Sequence, residues 1–197
     1  LSANEPESGG RSGQPLTARS DPGTRITGES AAKTDLRVRA LGEIDELTSY
    51  LGVARARNAH PELEKVLLRL QELLLTMGCD IADPERRGEV FLTAADCRAL
   101  TEAVRAHERA LPRLTRFIVP GPPSPAAELH FSRTIARRLE RTLQSLAKTE
   151  SVSEAALAAS NELSDLLYAL ARRATHAAGE ADRKWRPRKP LSGSDLQ

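Results

Sequence analysis

Apolar residues return every three or four positions in five stretches of this chain, and proline, glycine or clustered charge separates each stretch from the next. Val38, Leu41, Ile44, Leu47, Leu51 and Val53 predict a first helix from about Asp35 to Asn58. His60-Pro61 interrupts that pattern, and Pro61 suits the first turn of a second helix, where a missing backbone donor costs nothing. Leu63, Val66, Leu67, Leu70, Leu73, Leu74, Met77 and Ile81 give this second helix a wide apolar stripe, which predicts a central position. Thr93 with Asp96 reads as an N-cap and acidic third position opening a third helix that ends near Leu111-Pro112. The run Pro120-Gly121-Pro122-Pro123-Ser124-Pro125 cannot be helical throughout, since its prolines lack donors and restrict their predecessors. A fourth helix follows from about Pro125 to Lys148. Ser151 or Ser153 caps a fifth, whose Leu157, Leu163, Leu166, Leu167 and Leu170 repeat until Gly179. The expected architecture is all-α, a five-helix bundle over residues 35–179. Residues 1–34, rich in Gly, Ser, Pro and charge, are expected to be flexible or to order on binding, and residues 180–197 to form a mobile tail.

Composition sharpens this picture in a few places. Aromatic residues are only 3% of the 197, which favours helices packed by aliphatic side chains over a sheet. The net charge of +2 leaves no global polycation to draw nucleic acid, and Trp185, alone among basic residues, is no stacking platform. Cys79 and Cys97 are too few for a disulfide framework; both are expected inside helices as small apolar fillers in a reducing compartment. No apolar run approaches a membrane span, and residues 1–16 have no apolar signal core, so a cytoplasmic location without membrane contact is expected.

Charge is concentrated on the fourth helix. Arg133, Arg137 and Arg141 stand four residues apart, so their side chains stack in a column, with Arg138 beside it and Glu140 pointing elsewhere. Like charges at that spacing repel. They are neutralised either by carboxylates of a neighbouring helix or subunit, or by a polyphosphate gripped by guanidinium forks. His130 has no Cys or His partner at metal spacing and reads as a packing or hydrogen-bonding residue.

Four blocks, in order, carry a resemblance across about Thr17 to Arg173: Lys33-Thr34-Asp35 with Gly42 through Ser49, Phe117-Ile118-Val119-Pro120-Gly121, Leu129 through Arg141, and Asn161 through Asp165 with Leu170-Ala171-Arg172. Together they resemble the PduO-type ATP:cob(I)alamin adenosyltransferases. The resemblance implies a trimer of five-helix bundles with active sites between subunits, and transfer of the adenosyl group of ATP to the cobalt of reduced cobalamin with triphosphate leaving. It implies that Arg137 and Arg141 hold the triphosphate and that Glu140 and Asn161 help hold Mg²⁺ and nucleotide, with Glu140 the metal-side residue and Arg138 a further nucleotide-side contact; Ser164 and Asp165, beside Asn161 on the fifth helix, either bind nucleotide or orient the arginines of the fourth. Asp45 and Arg133 match a pair that closes the subunit interface, for which a weak rim salt bridge is the plainer role. Phe117 matches an aromatic under the corrin that excludes the axial base and so eases reduction of Co(II); its plainer role is a loop anchor. A cobalamin reductase and an adenosylcobalamin-dependent client are the partners such chemistry calls for.

The chain departs from the family at the nucleotide loop of residues 17–33. Thr17, Asp21, Gly23, Thr24 and Lys33 fit, but Ala18 replaces the usual basic residue, Ser20 the first glycine, and Pro22 removes a backbone donor; Arg19 offers a charge from the neighbouring position, in a different direction if the loop is extended. Glu162 reverses a charge where the family has arginine, and Pro122-Pro123 stiffens the connection after Gly121. These departures leave a second reading open: a non-catalytic relative that binds nucleotide or corrinoid as a carrier, sensor or assembly partner.

Overall fold

The computed structural model describes residues 24–26, 29–32, 34–58 and 60–187. Five helices carry the fold: α1 (Leu36–Ala56), α2 (Pro61–Ala82), α3 (Ala94–Arg109), α4 (Ser124–Leu146) and α5 (Glu154–Ala177). Each begins where local chemistry lets it begin. The Asp35 carboxylate accepts from Arg37 N at 2.7 Å, Thr93 and Asp96 form a reciprocal capping box, and Ser153 Oγ accepts from Ala156 N at 3.1 Å, so the caps of α1 and α5 each satisfy one first-turn donor and the box satisfies two. Of the two serines proposed for α5, Ser153 is the cap; its hydroxyl also donates to the buried carboxylate of Asp80 at 2.6 Å, tying α5 to α2.

The core is a ladder of small and branched aliphatics. Ala40, Ile44, Leu47, Leu51 and Ala54 line one face of α1, spaced alternately four and three, and Leu67, Leu70, Leu74, Met77 and Ile81 do so on α2. The most extensive packing is α4 on α5, where Leu129, Ile135, Leu139, Leu143 and Leu146 meet Leu163, Leu166, Leu167 and Leu170. Outside this pair, α1 lies on α4 with α2 against α1, and α3 lies on α5. The expectation that α2 is central therefore gives way to an α4–α5 centre, and Leu68 and Leu75, which lie outside the predicted α2 stripe, face outward. Val53, expected in the α1 stripe, is likewise exposed, and Ala40 and Ala54 take inward positions because alanine lets the helices approach closely. Cys97 is packed against the core, whereas Cys79 is exposed and fills nothing.

Both ends of the chain amend the sequence-based expectation. Within residues 1–34, Thr24–Ile26 (β1) and Glu29–Ala31 (β2) pair antiparallel with Thr24 opposite Ala31, a short ribbon that the β-branched Thr24 and Ile26 suit. At the other end, α5 stops in a Schellman motif: Gly179, at φ +76°, donates to His176 O at 3.0 Å while Glu180 N donates to Thr175 O at 3.1 Å. That left-handed residue turns the chain back along the bundle. Asp182 then reaches Arg172 Nη2 at 2.9 Å and His176 Nε2 at 3.1 Å, with both the Asp182 and Arg172 side chains under a tenth exposed. Arg172 also donates to Pro112 O at 2.7 Å. Residues 183–185, expected in the mobile tail, are laid as a strand beside Phe117–Val119: Val119 N donates to Arg183 O at 2.8 Å and Trp185 N to Phe117 O at 2.7 Å. None of the described helices is long and apolar enough to cross a membrane.

Burial alone raises the Asp182 pKa, but hydrogen bonds from Arg172 and His176 outweigh it and hold the carboxyl below its usual value. The stabilisation this gives is complete above the unfolded carboxyl pKa, about 4, and is lost as pH falls through the depressed folded value. Asp182→Asn leaves the Arg172 cation buried without its counter-charge and is expected to cost about 3 kcal/mol at neutral pH. Urea titrations at a series of pH values check this: the wild-type advantage over the variant should shrink toward acid, and an advantage independent of pH would contradict it.

Candidate active site

The apolar seam between α4 and α5 fixes what lies along its edge. On α4, His130, Arg133 and Arg137 follow one another at helical spacing, and on α5 Asn161, Ser164, Asp165 and Tyr168 do the same. Where these stripes face each other, a cleft of about 370 Å³ is lined by His130, Arg133, Arg137, Ser164, Asp165 and Tyr168, and is closed at one side by Phe117, Ile118 and Pro120. The structure thus brings together Arg133, Arg137, Ser164, Asp165 and Phe117, which the sequence had proposed from three separate blocks. Arg141 and Asn161 are exposed one turn further along the same stripes, outside the cleft wall, and Glu140 is half-buried between the arginine positions.

The cations differ in what already satisfies them. Arg138 does not join the column: it pairs with Glu46 and lies 3.7 Å from Glu43, both on α1. Arg137 and Arg141 form no ion pair among the described residues. Arg133 has its guanidinium carbon 5.9 Å from the centre of the Tyr168 ring, and its buried Nε has no hydrogen-bond partner among the described residues. Asp45 is exposed on α1, and no ion pair joins it to Arg133 among the described residues. Thr17, Arg19, Asp21, Gly23 and Lys33, with Ala18, Ser20 and Pro22, lie outside the described residues; Thr24 opens β1.

Two cleft residues escaped the sequence-based selection. Tyr168 continues the Asn161–Asp165 stripe by one turn, and His130 precedes Arg133 by three, so helical spacing alone could have found both. Burial chiefly, helped by the neighbouring Arg133 cation, pulls the His130 pKa down to about 4. Its imidazole is therefore neutral at physiological pH, and its buried Nδ1 has no protein partner among the described residues. Glu162 is not in the cleft wall. It lies on the α3 side of α5, where burial first, then Asp96 and more weakly Glu162 push the Cys97 thiol pKa up. The charge reversal at Glu162 thus falls outside the cleft that Arg137 lines.

A larger hollow of about 720 Å³ adjoins the first. It is edged by Leu114, Thr115, Arg116, Phe117, Tyr168, Trp185 and Pro187, so Phe117 and Tyr168 form the partition between the two. Phe117 is 81% exposed, so its ring stands open to both hollows. A separate hollow at the α1–α2 junction contains Arg55 and Glu64, which are already paired with each other.

Comparison with known proteins identifies the arrangement. The family model described as cobalamin adenosyltransferase matches residues 17–174. A cobalamin adenosyltransferase of Cupriavidus metallidurans is 37% identical over 180 residues, covering 90% of this chain and 96% of its own. A corrinoid adenosyltransferase of Bacillus subtilis is 36% identical over 163 residues, covering 81% and 84% respectively. Among solved structures, a variant PduO-type ATP:corrinoid adenosyltransferase from Lactobacillus reuteri, complexed with cobalamin and ATP, matches with a TM-score of 0.79 at 33% identity, over 84% of this chain and 92% of that one. With the motif blocks, the five helices and the arginine-lined cleft all in agreement, the chain belongs to the PduO-type cobalamin adenosyltransferase family.

Proposed function

We propose that this protein is an ATP:corrinoid adenosyltransferase that binds ATP along Arg137 and Arg141 and a reduced corrinoid against Phe117, moving the 5′-deoxyadenosyl group from the first to the second. The observation that carries this is the pairing of an arginine-walled cleft with an aromatic-edged hollow across a shared Phe117–Tyr168 partition. Polyphosphate suits the first and a flat, largely apolar ring the second.

The reaction is a displacement at carbon. The electron pair of Co(I) attacks the ribose 5′ carbon, a Co–C bond forms, the C5′–O bond breaks, and its electrons leave on triphosphate. Negative charge therefore grows on the oxygen that departs, and guanidinium groups fixed there before the reaction bind the transition state more tightly than the ground state. Arg137 and Arg141 are available for this because no carboxylate of their own chain engages them among the described residues. Ser164, Asp165 and Asn161 supply hydrogen-bonding groups along the facing helix, and the loop at residues 17–33 is the further nucleotide-binding segment. Magnesium, bound through few protein ligands plus phosphate oxygens and water, is compatible with a single half-buried carboxylate, and Glu140 is that residue. Bound there, the ion would neutralise phosphate charge.

Phe117 acts on the corrin side. A large apolar side chain beneath the ring keeps an axial base from cobalt, and without that donor Co(II) accepts an electron more readily. Asp45 and Arg133 support a homotrimer: an exposed carboxylate and a guanidinium with an unpartnered nitrogen in one protomer are complementary to the same residues of its neighbours.

Arg137→Ala and Arg141→Ala are each expected to lower adenosylcobalamin formation from chemically reduced cobalamin by about a hundredfold or more, as loss of a transition-state donor does, with melting temperatures unchanged. Wild-type rates in both would remove the phosphate role, and ATP and corrinoid binding without product in the unaltered protein would identify the carrier or sensor reading instead. Phe117→Ala is expected to retain ATP affinity by calorimetry but lose most turnover when Co(II) must be reduced in the bound state. A parallel loss of ATP affinity would argue against its corrin role.

A further inference from the structure

The strand formed by residues 183–185 gives the Phe117 segment two distinct faces. Ile118 opposes Lys184 in an antiparallel bridge, so the same register sets Phe117 opposite Trp185 and Arg116 opposite Arg186. Side chains alternate along each strand, which places Phe117 and Trp185 on one side and Arg116, Lys184 and Arg186 on the other, with Ile118 among the three cations. Phe117 and Trp185 edge the hollow of about 720 Å³, whose rim Thr115 and Arg116 also reach, and Thr115, Arg116, Lys184 and Arg186 together line a separate one of about 390 Å³ that neither aromatic enters.

Cations facing one another across paired strands repel. None of these three has an ion-pair partner among the described residues, and the buried Asp182–Arg172 pair holds the ribbon in place against the repulsion. Three convergent, uncompensated donors behind an aromatic wall suit a single small anion. The amide side chains of a corrinoid are neutral; a cobalamin's one anionic group is the phosphodiester in its nucleotide tail. When the base at the end of that tail is kept from cobalt, the tail hangs from the lower side of the ring, where Phe117 stands.

We infer that the cationic face of this ribbon, Arg116, Lys184 and Arg186, is a subsite for the phosphodiester of the corrinoid's displaced nucleotide tail. This rests on the corrin reading of Phe117 above. It makes the ribbon bifunctional: one face fills the space under the ring and the other receives the tail so released. Cobalamin is thereby distinguished from cobinamide, which has the same ring but no phosphodiester.

The test compares dissociation constants of Co(II) cobalamin and Co(II) cobinamide, in the presence of ATP, for the unaltered protein and a Lys184→Gln/Arg186→Gln double variant whose fold is checked by circular dichroism. Cobalamin affinity is expected to fall about tenfold or more, as loss of charged hydrogen bonds does, with cobinamide affinity unchanged. Cobalamin binding to the unaltered protein should weaken with rising salt more steeply than cobinamide binding. Equal losses for both corrinoids, or none for either, overturn the tail subsite while leaving the corrin site intact. Failure of the unaltered protein to bind either corrinoid overturns the corrin reading itself. Inorganic triphosphate distinguishes the other phosphate source: if it competes with cobalamin in the unaltered protein but not in the double variant, the cations serve the leaving group and the tail assignment falls.

Discussion

The seam between α4 and α5 is the constraint on which the remainder depends. Leucine and alanine at intervals of three and four bury one face of each helix, and the helical repeat then dictates which residues stand at the border of that face. His130, Arg133 and Arg137 on one helix, and Ser164, Asp165 and Tyr168 on the other, are brought together because the leucines between them must be. A cleft built from two packed helices is stiffer than one built from loops, and stiffness is what a site needs if its donors are to meet a developing charge without reorganising.

This protein contains many arginines, and the structure divides them by use. Arg37 is buried and bonds Glu150, Ile81 O and Ser151 O, fastening the start of α1 to the ends of α2 and α4. Arg138 crosses to α1, and Arg172 joins the segment before Phe117 to the returning C-terminal strand. Those three have carboxylates or carbonyls of their own chain. Arg137 and Arg141 point from the same helix as Arg138 yet meet no such partner among the described residues, and a change of one helical position, about 100°, separates the structural cation from the open ones. Neither the half-exposed Arg138–Glu46 pair nor the buried Arg172–Asp182 pair contributes much net stability; their value lies in fixing direction.

That division marks the limit of what could be read from sequence. Periodicity located all five helices to within a few residues, because a repeating apolar face is a local property; the Thr93–Asp96 box and the proline-rich break before α4 were legible for the same reason. The arginine column could be seen at i and i+4, but not that Arg138 would find Glu46, since that pair joins residues 92 apart in the chain. Stripe width misplaced α2: it measures how much apolar surface a helix carries, not which partner covers it. The C-terminal strand was invisible because Asp182, Arg183 and Lys184 are polar and look like solvent-facing tail. Only the pairing of Asp182 with Arg172, ten residues earlier and across a left-handed glycine, turns them into structure.

Phe117 shows why that late pairing matters. An exposed phenylalanine on a loop between α3 and α4 would sample many positions, and the role proposed for it, excluding an axial ligand, requires it to hold one. The chain supplies the restraint from outside the loop. Gly179 reverses the backbone, Asp182 docks on Arg172, and the strand that follows donates from Trp185 N to Phe117 O. Arg172 grips Pro112 O as well, so both approaches to the loop converge on a single guanidinium. The aromatic under the proposed corrin site is thereby positioned by α5, the same helix that carries Ser164 and Asp165. Two sites that must act on one bond, between cobalt and the ribose carbon, share a rigid reference, and their separation is set by the α5 backbone between Ser164 and Arg172 instead of by loop conformation.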